Sequence, residues 1–177
     1  MPLPNKIEMF TPVESIEAGQ RVEVFLDNIR STFNVGAMFR TADGAGIERL
    51  YLCGITPLPD NPKVAKTALG AEQAVPWTYF PNGLSAVQEL KQSGKHLVAL
   101  EVSPGATPLF EYLPPPDGQP VVLVVGNEVT GIDPDICALC EQTIWIPMSG
   151  FKRSLNVSIA FGIAVYFLRY QNVNQRM

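Results

Sequence analysis

Residues 144–168, IWIPMSGFKRSLNVSIAFGIAVYFL, combine three kinds of pattern in one short segment. Ile144–Pro147 is apolar and predicts a strand, and the apolar run that ends at Leu168 predicts a helix. Between them lies a flexible loop at Ser149–Gly150, followed by charged and small polar side chains: Lys152, Arg153, Ser154, Asn156 and Ser158. A helix that only packs on a core has no reason to begin with such residues. The pattern therefore predicts that this segment binds a ligand.

The sequence before this segment alternates short apolar stretches with helical patterns. Strands are predicted over Val22–Leu26, Arg49–Cys53, Trp77–Phe80, His96–Val102 and Val121–Val125. Helices are predicted from Asn34 as N-cap to Ala42, over Val64–Leu69, over Leu84–Gln92 and after the capping pair Asp133–Pro134. This alternation indicates an α/β fold, with a Rossmann-like, mostly parallel sheet that carries helices on both faces.

The length of 177 residues suits one domain with a substantial core. We expect an N-terminal extension over residues 1–20 and a single domain over residues 21–177. No apolar run reaches the roughly 18 residues that cross a bilayer, and residues 1–10 lack the pattern of a signal peptide. Three cysteines, Cys53, Cys137 and Cys140, form an odd and sparse set, which favours a reducing cytoplasm.

Motifs of several other protein classes are missing or incomplete. Gly44–Gly46 ends a predicted helix instead of opening one after a strand, so a dinucleotide fingerprint is not present, and neither is a P-loop lysine motif. His96 is the only histidine and lies in a predicted strand, which argues against a catalytic triad and a histidine metal site. Cys137 and Cys140 have redox spacing but no second pair for zinc. We predict structural cysteines and no metal.

The formal net charge of −4 and the pI of about 5.0 argue, by themselves, against nucleic acid as a partner. The distribution of cations matters more than their sum. Six of the 13 Lys and Arg residues fall on what is predicted to be the ligand side: Arg30, Arg40, Lys63, Lys66, Lys152 and Arg153. A local basic patch on an acidic protein can still attract polyanions. The alternative is a set of scattered surface cations.

Polar residues collect just past the carboxyl ends of three predicted strands. The groups are Asn34-Val35-Gly36 with Arg40-Thr41-Ala42, Gly126-Asn127-Glu128 with Gly131, and Pro147-Met148 with Ser154-Leu155-Asn156. Open α/β sheets bind ligands at this edge, so three groups there predict one site. Each group also has a local explanation: Asn34, Ser154 and Asn156 as helix caps, Glu128 and Gly131 as a tight turn, and Arg40 as a solvated surface cation.

In this order and spacing the three groups resemble the motifs of the SpoU (TrmH-like) family of RNA 2′-O-ribose methyltransferases, in the SPOUT superfamily. The first motif covers residues 34–42, the second residues 121–131 (VVLVVGNEVTG) and the third residues 146–158. The resemblance extends over roughly residues 22–168. It implies a C-terminal deep trefoil knot at roughly residues 120–160, which is a rare exception to unknotted connections, and an obligate homodimer.

The resemblance also implies S-adenosylmethionine as the methyl donor, bound by the backbone of the knot, and tRNA or rRNA as the acceptor. The implied cofactor-binding residues are Leu100, Glu101, Gly126, Ile146, Pro147, Met148 and Leu155. The implied catalytic residues are Asn34, Arg40, Glu128, Ser154 and Asn156. Candidate contacts to RNA phosphates are Arg30, Lys63, Lys66, Lys152 and Arg153.

The resemblance assigns a role to each catalytic residue. Asn34 and Asn156 are expected to position Arg40 and the ribose, and Glu128 to orient this network within one chain or across the dimer. Ser154 is expected to form a hydrogen bond with the substrate or with the arginine. The family arginine is sometimes assigned as the general base, but a guanidinium pKa above about 12 makes its deprotonation costly. We expect Arg40 to bind phosphate and to stabilise the developing alkoxide.

The last predicted helix is apolar on every face, which a helix that covers one side of a sheet does not need. We therefore expect Ile159, Ile163, Tyr166 and Phe167 to contribute to a homodimer interface. A non-catalytic module that binds S-adenosylmethionine or RNA is the alternative function. The complete polar set favours catalysis, because a degenerate relative would be expected to lack Arg40, Glu128 or Asn156.

Overall fold

The computed structural model describes residues 19–171, and seven strands in this range form one sheet. The strands are β1 (Val22–Asp27), β2 (Leu50–Cys53), β3 (Trp77–Phe80), β4 (His96–Leu100), β5 (Thr107–Pro108), β6 (Val121–Val125) and β7 (Gln142–Trp145). Their order is β3-β2-β1-β6-β4-β7-β5, and every neighbouring pair is parallel. The predicted parallel α/β sheet is confirmed. Because the strands are parallel, their carboxyl ends meet at one edge.

Helices cover both faces of the sheet, as predicted. They are α1 (Thr32–Ala45), α2 (Pro62–Ala68), α3 (Ala71–Ala74), α4 (Gly83–Gln92), α5 (Pro134–Cys137) and α6 (Val157–Tyr170), with a 3-10 turn at Leu109–Glu111. One apolar core lies under α1, α2, α3 and α6, and the other under α4 and α5. Alternate residues of β2 enter the two cores, because successive side chains of a strand point to opposite faces.

Three predicted boundaries at the ligand side are wrong. β4 ends at Leu100 instead of Val102. The other two have reasons that are visible in the backbone and its hydrogen bonds. Ser31, and not Asn34, is the N-cap of α1, because the Ser31 hydroxyl accepts from the Asn34 amide at 3.3 Å. The Asn34 side chain is thereby available for other partners. The last strand is Gln142–Trp145 instead of Ile144–Pro147; its pairing with β5 ends at Trp145, and Pro147 has no N–H to extend a ladder.

Helix α6 packs on α1 through one face and exposes apolar side chains on another. Phe161, Ala164, Val165 and Leu168 are fully buried against the first core. Gly162 allows a close approach to α1, where a Cβ atom would lie 3.5 Å from the Thr41 methyl group. Outside the core contact, Ile159 is 55% and Tyr166 45% exposed.

The predicted extension over residues 1–20 lies, up to residue 18, outside the described residues. In the part of the chain that the structure describes, no helix is both long and apolar enough to cross a membrane.

Candidate functional site

An open cleft of about 850 Å³ lies at the carboxyl edge of the sheet, where β4, β6 and β7 end and where α1 and α6 begin. It brings together residues that are far apart in the sequence. Twelve of the predicted site residues line it: Arg30, Asn34, Leu100, Glu101, Gly126, Glu128, Ile146, Met148, Arg153, Ser154, Leu155 and Asn156. The three polar groups singled out in the sequence therefore contribute to one cavity.

The Glu128 carboxylate binds the start of α1 on one rim of the cleft. Its Oε2 accepts from the Arg30 amide at 2.8 Å, and its Oε1 accepts from the Ser31 amide at 3.0 Å. The Asn34 side-chain amide donates to the same Oε1 at 3.0 Å. The carboxylate thus joins the loop after β6 to the first turn of α1, within a single chain.

Hydrogen bonding holds the pKa of Glu128 below its ordinary value. Partial burial acts in the opposite direction by raising this pKa, but the bonds from the Arg30 amide, the Asn34 side chain and the Ser31 amide outweigh it. Glu128 is therefore ionised at neutral pH and accepts hydrogen bonds only.

Asn34 and Asn156 connect the starts of α1 and α6. The Asn156 Nδ2 donates to the Asn34 Oδ1 at 3.3 Å, so that Glu128, Asn34 and Asn156 form one chain of hydrogen bonds. Asn156 is also the N-cap of α6, where its Oδ1 accepts from the Ser158 amide at 2.9 Å. The capping role and the site role predicted for Asn156 therefore coexist.

The segment Gly126–Gly131 folds back on itself as a tight hairpin, which we call the β6 hairpin. Asn127 and Gly131 exchange two backbone hydrogen bonds of 3.0 Å. A Cβ atom on Gly126 would collide with the backbone of Gly131 and Ile132. Gly131 has a φ of 74° and lies directly against the Glu101 carboxylate, so a side chain there is both strained and obstructed. Only glycine fits these two positions.

Glu101 lies on the floor of the cleft, just past β4. Its Oε1 accepts from the Val102 amide at 3.0 Å, and its Oε2 accepts from the Ile132 amide at 3.2 Å. The remaining lone pairs of this carboxylate are available to hydroxyl groups of a ligand.

The other five predicted site residues do not line the cleft. They are Arg40, Lys63, Lys66, Pro147 and Lys152, and all are exposed. The side chain of Arg40 forms no hydrogen bond or ion pair with any residue between 19 and 171. Arg40 lies on the exposed stripe of α1 that continues to Gly44, where a Cβ atom would lie 3.0 Å from the Tyr166 hydroxyl.

Four residues line the cleft outside the three motifs and the predicted site residues: Ser31, Val102, Trp145 and Ala160. Ser31 could have been found from the sequence, because a serine three residues before Asn34 is a typical N-cap pattern. Val102 and Trp145 carry no polar signal and reach the cleft only because β4 and β7 are neighbours.

The chain matches the family model described as "SpoU rRNA Methylase family" over residues 21–166. It is 32% identical over 158 residues to the 23S rRNA (guanosine(2553)-2′-O)-methyltransferase of Bacillus subtilis, which covers 89% of this chain and 61% of the relative. It is 34% identical over 158 residues to the tRNA (guanosine(18)-2′-O)-methyltransferase of Aquifex aeolicus, with 87% of this chain and 71% of the relative covered.

Solved structures show the same fold. A rRNA methyltransferase of Sinorhizobium meliloti with AdoMet bound superposes with a TM-score of 0.79 and 28% identity, over 88% of this chain and 57% of that one. A putative RNA methyltransferase of the TrmH family from Porphyromonas gingivalis gives a TM-score of 0.78 and 29% identity, over 90% and 63%. The chain thus spans less than two thirds of the length of both solved proteins.

Proposed function

Because this chain belongs to the SpoU rRNA methylase family, we propose that it transfers a methyl group from S-adenosylmethionine to a ribose 2′-hydroxyl of tRNA or rRNA. Relatives named as guanosine 2′-O-methyltransferases of both RNA classes support this reaction. The observation in the structure that carries the proposal is the hydrogen-bonded series Glu128, Asn34 and Asn156 on the rim of the cleft. A module that only binds its ligands has no need for such a network.

The residues of the cleft fit S-adenosylmethionine. A volume of about 850 Å³ is sufficient for a ligand of this size. Leu100, Ile146 and Leu155 offer apolar surface to an adenine ring, and the Glu101 carboxylate has free lone pairs for ribose hydroxyls. When bound, the cofactor would supply a methyl group on a sulfonium. In-line attack by the ribose oxygen would form the O–C bond and break the C–S bond, which leaves a neutral thioether, and the hydroxyl proton would pass to water in the open cleft.

The protein has two tasks in this reaction, to orient the attacking hydroxyl and to stabilise the charge that develops on it. Asn34 and Asn156 are held by Glu128 and each other, so their remaining donors and acceptors are pre-oriented toward a ribose at the rim. The exposed Ser154 hydroxyl lines the same rim. A positive charge near the alkoxide is the missing element, and we assign it to Arg40.

We propose that Arg40 acts across a homodimer that forms through α6. Arg40 does not line the cleft of its own chain, and its stripe on α1 leads to the Tyr166 contact, beside the exposed surface of α6. A second chain that packs on Ile159 and Tyr166 would bring the Arg40 of one subunit near the cleft of the other. The hydrogen bonds that join Glu128, Asn34 and Asn156 lie within one chain and are compatible with this arrangement.

We also propose the deep trefoil knot at roughly residues 120–160. Strand β6 lies between β1 and β4, although β4 precedes it in the chain, and α6 then returns to pack on α1, β1 and β6. Between β7 and α6 the chain passes the carboxyl ends of β4 and β6, because Ile146 and Leu155 line the same cleft as Leu100 and Gly126. This path supports the proposal. A crystal structure in which residues 144–168 do not pass through a loop of the preceding chain would contradict the knot.

The proposed reaction is tested by incubating the protein with methyl-labelled S-adenosylmethionine and separate tRNA and rRNA fractions. We expect label in one fraction, at a ribose that resists alkaline cleavage of the adjacent phosphodiester. No incorporation into any RNA, combined with measurable cofactor binding, would favour a non-catalytic binding module instead.

RNA binding is expected to weaken steeply with salt. The side chains of Arg30, Lys63, Lys66, Lys152 and Arg153 are exposed and could neutralise phosphates. Each phosphate contact contributes about −0.7 to −0.9 to the slope of log K against log salt concentration. The double variant Lys152→Ala/Arg153→Ala should reduce this slope by about 1.5. The matched control is Arg21→Ala/Lys91→Ala, which removes the same charge from the ion pairs with Glu48 and Glu141. A flat salt dependence would contradict these contacts.

The proposed dimer interface predicts that Ile159→Asp converts a dimer into a monomer. A carboxylate at the centre of an apolar interface would lose its hydration without gaining a partner. Sedimentation velocity at micromolar concentration measures the change. Ile55→Asp is the control, because Ile55 is similarly exposed at 63% but lies beyond β2, away from α6. A wild-type monomer would refute the interface.

A further inference from the structure

Asn28, directly after β1, has a left-handed backbone conformation that only two non-glycine residues of the range 19–171 adopt. Its φ is 55°, and that of Leu69 is 54°. Leu69 is the C-cap of α2, where a left-handed residue is common. Asn28 ends no helix. A strained residue persists when its surroundings fix it, and such residues concentrate at functional sites.

The contacts of Asn28 tie together the loops that follow three strands. Its side-chain Oδ1 accepts from the Ile55 amide, beyond β2, at 3.1 Å. Its backbone carbonyl accepts from the Asn127 side chain, in the β6 hairpin, at 2.7 Å. Asn127 in turn accepts from the Val129 amide at 2.8 Å and so shapes the hairpin around Glu128. One residue therefore sets the spacing of the β1, β2 and β6 ends.

The neighbouring Asp27 fixes the orientation of this side chain. The Asn28 Nδ2 donates to the Asp27 Oδ1 at 2.8 Å, and the Asp27 Oδ2 accepts from the Asp133 amide at 3.1 Å. Asp27 is buried, and burial raises the pKa of its carboxyl group. A flipped Asn28 amide would turn its oxygen toward the Asp27 oxygen and its NH2 group toward the Ile55 N–H, and both bonds would be lost. The Asn28 oxygen therefore faces Ile55.

The loop that Asn28 begins also supplies the amides that bind Glu128. The next residue, Ile29, is fixed by the buried Thr56, whose hydroxyl accepts from the Ile29 amide and donates to the Leu26 carbonyl, both at 3.1 Å. The following two amides, of Arg30 and Ser31, are the donors to Glu128. Asn28 is thus connected to both sides of the Glu128 interaction, through the loop and through Asn127.

We infer that Asn28 is a positioning residue for Glu128. It holds the β6 hairpin so that the Glu128 carboxylate stays within hydrogen-bond distance of the Arg30 and Ser31 amides. Its effect on methyl transfer rests on the proposed function, whereas its effect on Glu128 does not. Asn28 itself does not line the cleft, so it acts through Glu128 and not by touching a ligand.

The variant that isolates this role is Asn28→Gly. Glycine adopts the same backbone conformation without strain and keeps the carbonyl that binds Asn127, but it loses the bonds to Asp27 and Ile55. We expect the pKa of Glu128 to rise by about half to one unit, because the loosened amides stabilise the carboxylate less. Carbon-13 NMR of labelled glutamate side chains measures this pKa without any RNA, and Glu128→Gln assigns the signal.

The titration of Glu128 must be distinguished from that of other ionisable groups nearby. The cleft also contains Arg30, Glu101 and Arg153, and Asp27 faces Asn28 directly. Of these, only Glu101 gives a glutamate signal, and Glu101→Gln identifies it. Leu69→Gly is the matched control, since it relieves the same backbone strain at a distance from the cleft and should leave the pKa of Glu128 unchanged.

Methyl transfer provides the second readout. Asn28→Gly should lower kcat by about 10-fold or more and leave the Kd for S-adenosylmethionine within about twofold, because misplaced groups slow the reaction more than they weaken binding. An unchanged Glu128 pKa in the folded variant would overturn the inference, whatever the activity. A wild-type protein without methyl transfer would overturn the proposed function and leave the pKa comparison intact.

If Asn28→Gly does not fold, the inference can still be tested by hydrogen exchange on the wild-type protein. The side-chain amide hydrogens of Asn28 should exchange with solvent more slowly than those of Asn82, whose side-chain oxygen alone is engaged as a helix cap. Equally fast exchange would show that the bond to Asp27 does not hold Asn28, and would overturn the inference.

Discussion

Replacing Arg40 with lysine is expected to lower kcat by about 100-fold or more, while the Kd for S-adenosylmethionine stays within about twofold. Lysine keeps the positive charge but loses the planar fork that can bind a phosphate and an alkoxide together. The Kd for the cofactor should be unaffected because lysine keeps the positive charge, and because the proposed partners of Arg40 are the RNA phosphate and the ribose oxygen and not the cofactor. Single-turnover methyl transfer at saturating RNA measures the first quantity, and calorimetric titration measures the second.

The matched control is Arg21→Lys. Arg21 is also an exposed arginine, but it lies just before β1, at the opposite edge of the sheet, in an ion pair of 2.8 Å with Glu48. Its replacement should leave kcat unchanged. Near-full turnover by Arg40→Lys would show that charge alone suffices, and would contradict the role of the guanidinium fork.

Mixed dimers decide whether Arg40 acts on its own chain or on the partner chain. Arg40→Ala and Asn156→Ala are each expected to be inactive. If Arg40 serves the cleft of the other subunit, a co-refolded mixture of the two variants contains dimers with one complete site, and activity returns. If Arg40 serves its own chain, every site in the mixture lacks one residue and activity stays absent.

Much of the fold could be predicted because its signals are local. β3 and β6 have the predicted bounds, and the apolar sequence of β6 correctly indicated burial on both faces. One error occurred where a polar residue had two possible roles. Asn34 is a good cap by type, but Ser31 takes the cap, and only the position of Glu128 in space explains what Asn34 does instead.

The site could be predicted as a set of residues but not as a geometry. Parallel strands bring the three motifs to one edge, so their meeting follows from the fold class. The contribution of Asn28 and Asp27 could not be predicted, because it depends on a left-handed backbone and on contacts across about 100 positions of sequence, such as that of Asn28 with Asn127. Sequence periodicity reports burial and does not report such contacts.

Replacing Gly126 with alanine is expected to destabilise the protein by about 1–3 kcal/mol and to weaken cofactor binding by about 10-fold or more. The added methyl group would meet the backbone of Gly131 and Ile132, which cannot move aside as a flexible side chain can. The β6 hairpin would have to open, and its two backbone bonds between Asn127 and Gly131 would lengthen. Denaturant unfolding and calorimetric titration measure the two effects.

Gly162→Ala is the control. It separates the effect of a steric clash by the new Cβ atom from the effect of replacing any glycine with alanine. A Cβ atom at this position in α6 would lie 3.5 Å from the Thr41 methyl group, an ordinary contact. Alanine is favoured over glycine in a helix interior by about 1 kcal/mol, so this variant should be as stable as the wild type or more stable. If Gly126→Ala instead bound the cofactor normally, the tight hairpin would be a structural turn only, and the cofactor site would have to lie on the β4 and β7 side of the cleft.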